Sequence, residues 1–138
     1  MTYVLDTNTV SYFLRGEGNV DGCFQHEIIN AGNPYAIPYV VAYEIWRWLN
    51  DKPSGQSKLF AKQFEIFFNN VQDKAEMTAS VWMKAVDVYI ALKQKGQLIG
   101  DADILIAAYC IVNNYTLVTN NPGDFSRISG LNHVNWYT

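Results

Sequence analysis

The sequence predicts an α/β fold built on a largely parallel sheet, and three observations carry that expectation. Tyr3-Val4-Leu5, Tyr35-Ala36-Ile37 and Thr116-Leu117-Val118 are short apolar runs rich in β-formers, the length and composition of buried strands. Amphipathic helical segments lie between them, and a helix between successive strands is how parallel neighbours are joined. The run Ile104 to Val112 is apolar on nearly every side, so its helix must lie centrally.

The elements follow in order. The first strand ends at Asp6, and Thr7 or Asn8 is placed to cap a helix running through Val10, Phe13 and Leu14. Gly16 and Gly18 stop it. A second amphipathic helix is expected from Val20 to Ala31, broken by Gly32-Asn33-Pro34. After the Tyr35–Ile37 strand, Pro38 opens a helix where its missing N–H costs nothing. That helix carries Val41, Glu44, Ile45, Trp48 and Leu49 and ends in Asp51-Lys52-Pro53-Ser54-Gly55. Ser57 to Phe68 is amphipathic, Val71 to Met77 is read as a short strand, and Thr78 to Lys95 is a long helix closed by Gly96. Asp101 and Asp103 open the apolar helix, which Asn113-Asn114 ends. Thr116–Val118, the turn-rich Asn120–Asp124 and a last strand within Gly130–Trp136 complete the chain.

The 138 residues suit one domain over 1–138, with no linker or repeat. Hydrophobic residues at 49% against 17% charged exclude a disordered chain. Ten basic against thirteen acidic residues give net −3, which argues against a globally nucleic-acid-attracting surface and leaves room only for local basic patches. The N-terminus has no basic start and apolar stretch of the secretory type, and no run approaches membrane-spanning length, so a cytoplasmic, membrane-free protein is expected. Cys23 and Cys110 sit apart in apolar helical patterns and read as free thiols.

The acids stand out by position. Asp6 directly follows a strand, and parallel sheets bind ligands at the carboxyl ends of their strands. Taken alone it reads more readily as the cap of the helix after it. Glu44 is the only charge in Val40–Trp46, and Arg47 three residues on is an alternative partner. Asp101 and Asp103 both start the most apolar helix; capping accounts for one, and a second adds repulsion that a cation relieves. Asp124 follows Asn120-Asn121 and alone reads as a turn residue. Carboxylates without histidine or thiolate are ligands for hard cations, Mg²⁺ or Mn²⁺, the ions of phosphoryl-transfer sites. His26 and His133 are not placed as an acid–base pair, and no Ser-His-Asp set, P-loop or dinucleotide fingerprint is present.

These residues resemble the PIN-domain ribonucleases, and within them the VapC-type toxins of bacterial toxin–antitoxin modules. Val4-Leu5-Asp6-Thr7-Asn8 is similar to the family's opening motif. Ile37 to Glu44 is similar to the strand and helix that present its central glutamate. Ile99-Gly100-Asp101-Ala102-Asp103-Ile104 through Ala108 is similar to its third motif, and Leu117–Asn121, Asp124-Phe125, Gly130-Leu131 and Trp136 to its ending. The four motifs run in order through nearly the whole chain. The resemblance implies a three-layer α/β/α sandwich with a short-stranded, mainly parallel sheet. It implies a Mg²⁺- or Mn²⁺-dependent endoribonuclease that leaves a 5′-phosphate and a 3′-hydroxyl, with structured RNA such as transfer RNA as substrate. It also implies a cognate antitoxin, and a homodimer or toxin–antitoxin hetero-oligomer. Asp6, Glu44 and Asp103 match the metal-holding acids, and Asp124 an accessory acid. Asp101 is an extra acid that either assists catalysis or caps its helix. Many PIN domains carry an aspartate where this chain has Asn121, which bears on a second metal ion. Thr7, Asn8, Thr119 and Asn121 are expected to support the acids. Arg15, Arg47, Lys58 and Lys62 are expected to meet RNA, with Lys52 and Lys84 as further basic candidates. Tyr39, Tyr43, Trp46 and Trp48 crowd the Glu44 helix, and some aromatics are expected to form a groove for a partner helix. The alternative readings are a PIN-like nuclease of RNA processing and a catalytically inactive PIN-fold binding module.

Overall fold

The computed structural model describes residues 1–71 and 76–138. The strand expected over Val71–Met77 falls largely outside the described residues. Strands β1 (Tyr3–Leu5), β2 (Tyr35–Ala36), β3 (Thr116–Val118) and β4 (Asn132–Val134) form one sheet in the order β2-β1-β3-β4. Every pairing is parallel. The helices are α1 (Thr7–Arg15), α2 (Val20–Phe24), α3 (Tyr39–Asp51), α4 (Gly55–Asn69), α5 (Ala79–Gln94), α6 (Asp101–Asn113) and the one-turn α7 (Pro122–Phe125). They flank the sheet, giving the expected sandwich.

The strands are two or three residues long. Val4, Leu5, Ala36, Ile37, Leu117 and Val118 have no exposed surface. As expected, α6 is buried through Ile104, Ile106, Ala107, Ala108, Tyr109 and Cys110. Asn114 ends it in the left-handed conformation at φ 56°, a conformation that asparagine tolerates better than most residues. The expected second helix is divided: α2 gives way to π-helical turns over Gln25–Asn30. Helix α4 starts earlier than the apolar pattern alone indicates. Ser54 and Ser57 form a reciprocal capping box at 2.7 and 3.1 Å, which extends the helix back to Gly55. Among the described residues, no helix is long and apolar enough to cross a membrane.

The strand order positions the site. From β1 the chain moves to β2 on one side and later to β3 on the other, so the direction of winding reverses between β1 and β3. Connections leave such a pair toward opposite sides and open a crevice at the carboxyl ends of the strands. Leu5 is in register with Val118, so the next residues, Asp6 and Thr119, emerge side by side at that crevice.

Candidate active site

Asp6 is the N-cap of α1, with extended backbone (φ −75°, ψ 172°) and Oδ1 accepting from the Thr9 amide at 2.8 Å. The cap is therefore Asp6, as its reading as a lone aspartate had it, rather than Thr7 or Asn8. Thr9 is tied to the neighbouring strand by donating from Oγ1 to the Val118 carbonyl at 3.0 Å. Asp6 is buried, and Thr119, itself 1% exposed, hydrogen-bonds its carboxylate. Burial pushes the Asp6 carboxyl up, the Thr119 and Thr9 hydrogen bonds pull it down, and Glu44 nearby pushes it up again.

Glu44 is carried about one and a half turns into α3, whose N-cap Pro38 follows the buried end of the β2 segment. Thr7 Oγ1 donates to Glu44 Oε1, and Arg47 Nη2 lies 4.0 Å from Oε2. Asp103 is the third residue of α6, whose N-cap Gly100 supplies no side-chain cap. It is half-buried, and its carboxyl is pushed up to about 6 by burial and then by the charges of Asp6, Glu44 and Asp124. Those causes bring four of the sequence-singled acids into one electrostatic neighbourhood.

Asp124 reaches it from α7. Asn121 caps that helix and accepts from the Asp124 amide at 3.4 Å, while its Nδ2 donates to Asp124 Oδ2 at 2.9 Å. The Asn121 amide donates to Thr119 Oγ1 at 3.0 Å. Thr119, Asn121, Asp124 and Asp6 thus form one connected set. The expected turn at Asn120–Asp124 is a capped helical turn; Asn before Pro at the first helical position, with an acid in the first turn, is the signal for it.

A family model described as PIN domain matches residues 3–131.

The chain belongs to the PIN-domain family.

It is 33% identical to ribonuclease VapC2 of Rickettsia felis across 99% of this chain and 98% of that relative, and is a VapC homologue. The crystal structure of VapBC2 from Rickettsia felis bound to a promoter DNA fragment matches with TM-score 0.85 and 29% identity over 99% of both chains. The DNA-bound VapBC of Salmonella typhimurium matches in fold, with TM-score 0.83 and 20% identity over 99% of this chain and 98% of that one.

Within this PIN domain the donor set is chemically uniform. Aspartate, glutamate and threonine oxygens share this neighbourhood with no imidazole or thiolate among them, the donor type a hard divalent cation takes. Burial and then the neighbouring carboxylates lift Asp103 to about 6, and a cation relieves the carboxylates' share. Asp6, Glu44 and Asp124 are each turned onto a protein partner, and among the described residues no three side chains clasp a common point as they stand. Rotation about their side-chain bonds is the adjustment that coordination requires.

Asp101 lies elsewhere. It is exposed and lines a small apolar cavity with Trp82, Val86, Tyr89 and Leu105 between α5 and α6. Asn8 and Arg47 line a cavity of about 460 Å³ between α1 and α3, together with Thr7, Ser11, Glu44 and Trp48. Arg15 is turned onto Glu17 at 2.6 Å and lies over the Tyr12 ring. Lys58 and Lys62 are exposed on α4. Sequence reasoning passed over Thr9, whose bond to Val118 was not foreseeable without strand register. It also passed over Arg127, 3.6 Å from Asp124 Oδ1, for which the i, i+3 spacing was a readable signal.

Proposed function

We propose that this chain is a Mg²⁺- or Mn²⁺-dependent endoribonuclease, the toxin of a type II toxin–antitoxin pair, acting in the cytoplasm on structured RNA such as transfer RNA. The observation that carries the reading is the shared field of Asp6, Glu44, Asp103 and Asp124 at the reversal point of a PIN-domain sheet. Asp6, Glu44 and Asp103 would hold the cation. When bound, it neutralises the scissile phosphate and acidifies an attacking water. Thr7 fixes the Glu44 carboxylate through Oε1, and Thr119 fixes that of Asp6. Asp124, held by Asn121, sits at the rim and orients the water or accepts its proton. The asparagine at 121 supplies an amide where another carboxylate would complete a second ion site.

The antitoxin partner is supported by the VapBC relatives and by an apolar cavity of about 640 Å³ lined by Phe13, Phe24, Ile28, Ile66 and Phe67, a seat for an apolar segment. Trp82, Met83, Val86 and Ile90 leave an exposed apolar face on α5 that supports self-association. The test is cleavage of a transfer RNA pool by purified protein in Mn²⁺, in EDTA, and with Asp6→Asn. Discrete cuts that need the metal and vanish in the variant are expected. A folded, antitoxin-free protein that cleaves no RNA and shows no calorimetric Mn²⁺ binding would return the chain to the inactive-module reading.

A further inference from the structure

Basic residues excluded from the acidic cleft gather beside it. A cavity of about 220 Å³ between α5 and the segment after α7 is lined by Lys84, Lys95 and Arg127. Lys84, Asp87, Val88, Ala91 and Lys95 fall on one face of α5 by helical spacing, so one helix presents both lysines to the same hollow. Arg127 enters from the other wall. Asp87 is the one carboxylate lining the cavity, and among the described residues neither lysine has an ion-pair partner. In a chain of net −3, three cations against the single carboxylate of Asp87 leave a local positive excess around this hollow, and with Arg127 paired to Asp124 it rests mainly on the two lysines.

The position of the hollow indicates which anion. Arg127 Nη1 lies 3.6 Å from Asp124 Oδ1, and Asp124 acts electrostatically on Asp103. The notch therefore borders the acidic cleft through a single residue. Arg47 lies beside Glu44. A strand over the four acids is repelled there until a cation neutralises them, and basic groups beside the acids supply the attraction.

We propose that Lys84, Lys95 and Arg127 seat neighbouring backbone phosphates of the RNA on the Asp124 side of the cleft, an inference that rests on the nuclease reading above. Phosphate oxygens suit both a guanidinium and ammonium groups, and the eleven positions between Lys84 and Lys95, about 16 Å along a helix, set the two lysines over different phosphates of one strand. The contact is independent of sequence and holds the strand in place while base-reading groups lie elsewhere.

The test measures binding of a labelled single-stranded RNA to an Asp6→Asn parent, in which cleavage is blocked, across a range of salt concentrations. For single strands the slope of log K against log salt is about −0.7 per neutralised phosphate. Lys84→Gln with Lys95→Gln is expected to make the slope shallower by about 1.4 and to weaken binding about tenfold or more near physiological salt. Lys95→Gln alone, at an exposed position that leaves packing intact, is expected to give about half that slope change. Lys93→Gln is the charge-matched control on the same helix, its ammonium lying over the Tyr89 ring, and is expected to leave the slope unchanged. A double variant with the parent's slope overturns the proposal. So does a Lys93→Gln effect as large per charge, which would make the term a property of net charge alone. If wild-type protein cleaves RNA while these slopes stay equal, the notch falls and the nuclease reading stands. If wild-type protein neither cleaves nor binds RNA, both fall together.

Discussion

Thr7 Oγ1 donates its hydrogen bond to Glu44 Oε1, joining the first turn of α1 to the middle of α3 across the cleft. The bond sets the rotamer of a carboxylate that otherwise has only the distant guanidinium of Arg47 to hold it. Groups that orient a ligand commonly contribute about 10- to 100-fold in activity or affinity. Thr7→Val is expected to lower kcat for RNA cleavage in that range with little change in KM, and Thr7→Ser to restore it. Steady-state kinetics on a fixed RNA substrate check this; an unchanged kcat in Thr7→Val would show that Glu44 needs no such support.

Asp103 makes the metal-free protein sensitive to pH. Its folded-state pKa of about 6 lies above the value near 3.9 of an unfolded aspartate, so the folded chain binds the extra proton between them. Stability from this group is complete below about pH 4 and is lost as the pH rises through about 6. In EDTA the melting temperature is therefore expected to be higher at pH 5 than at pH 7.5, by about 3–5 °C. Asp103→Asn should flatten the difference, and saturating Mn²⁺ should reverse it, because the cation binds the ionised form. Scanning calorimetry at the two pH values decides it.

Asp6 serves the helix and the cleft through the same carboxylate. Asparagine keeps an acceptor for the Thr9 amide and removes the charge; alanine removes both. Loss of an N-cap costs about 1 kcal/mol, or about 4 °C for a chain of this size. Asp6→Ala is expected to melt at least that much below Asp6→Asn, while both lose Mn²⁺ binding by isothermal calorimetry. Equal melting temperatures would mean that the cap bond carries little.

Asn121→Asp converts the 2.9 Å amide–carboxylate bond to Asp124 into a pair of like charges. The metal-free variant is expected to melt about 3–5 °C lower, and Mn²⁺ to recover that loss with a higher binding stoichiometry. A variant with unchanged stoichiometry would show that a carboxylate at 121 is insufficient for a second ion.

The parts of this molecule that were legible in the sequence are those dictated by local pattern. The strands at Tyr3–Leu5 and Thr116–Val118 and the buried α6 follow from runs of apolar residues that have one physical solution. Asp6, Glu44 and Asp103 could be singled out because each is a charge in an apolar or strand-end setting. What could not be read was direction in space. Asp101 and Asp103 are two residues apart, yet about 200° around a helix separates them, so one meets the acids and the other meets α5. Arg15 trails the first helix toward the cleft in sequence but is taken by Glu17, two residues on. The basic notch was invisible because Arg127 lies more than thirty residues from Lys95, and only the fold brings the segment after α7 beside α5.

The pairing of Leu5 with Val118 has a consequence for synthesis. The neighbour that completes one wall of the crevice is made more than a hundred residues after the strand that carries Asp6. Until β3 has emerged and docked, Asp6 has no Thr119 beside it and Asp103 has no settled place. The crevice is thus assembled only once β3 has docked, so the acids stay apart while the intervening chain is made.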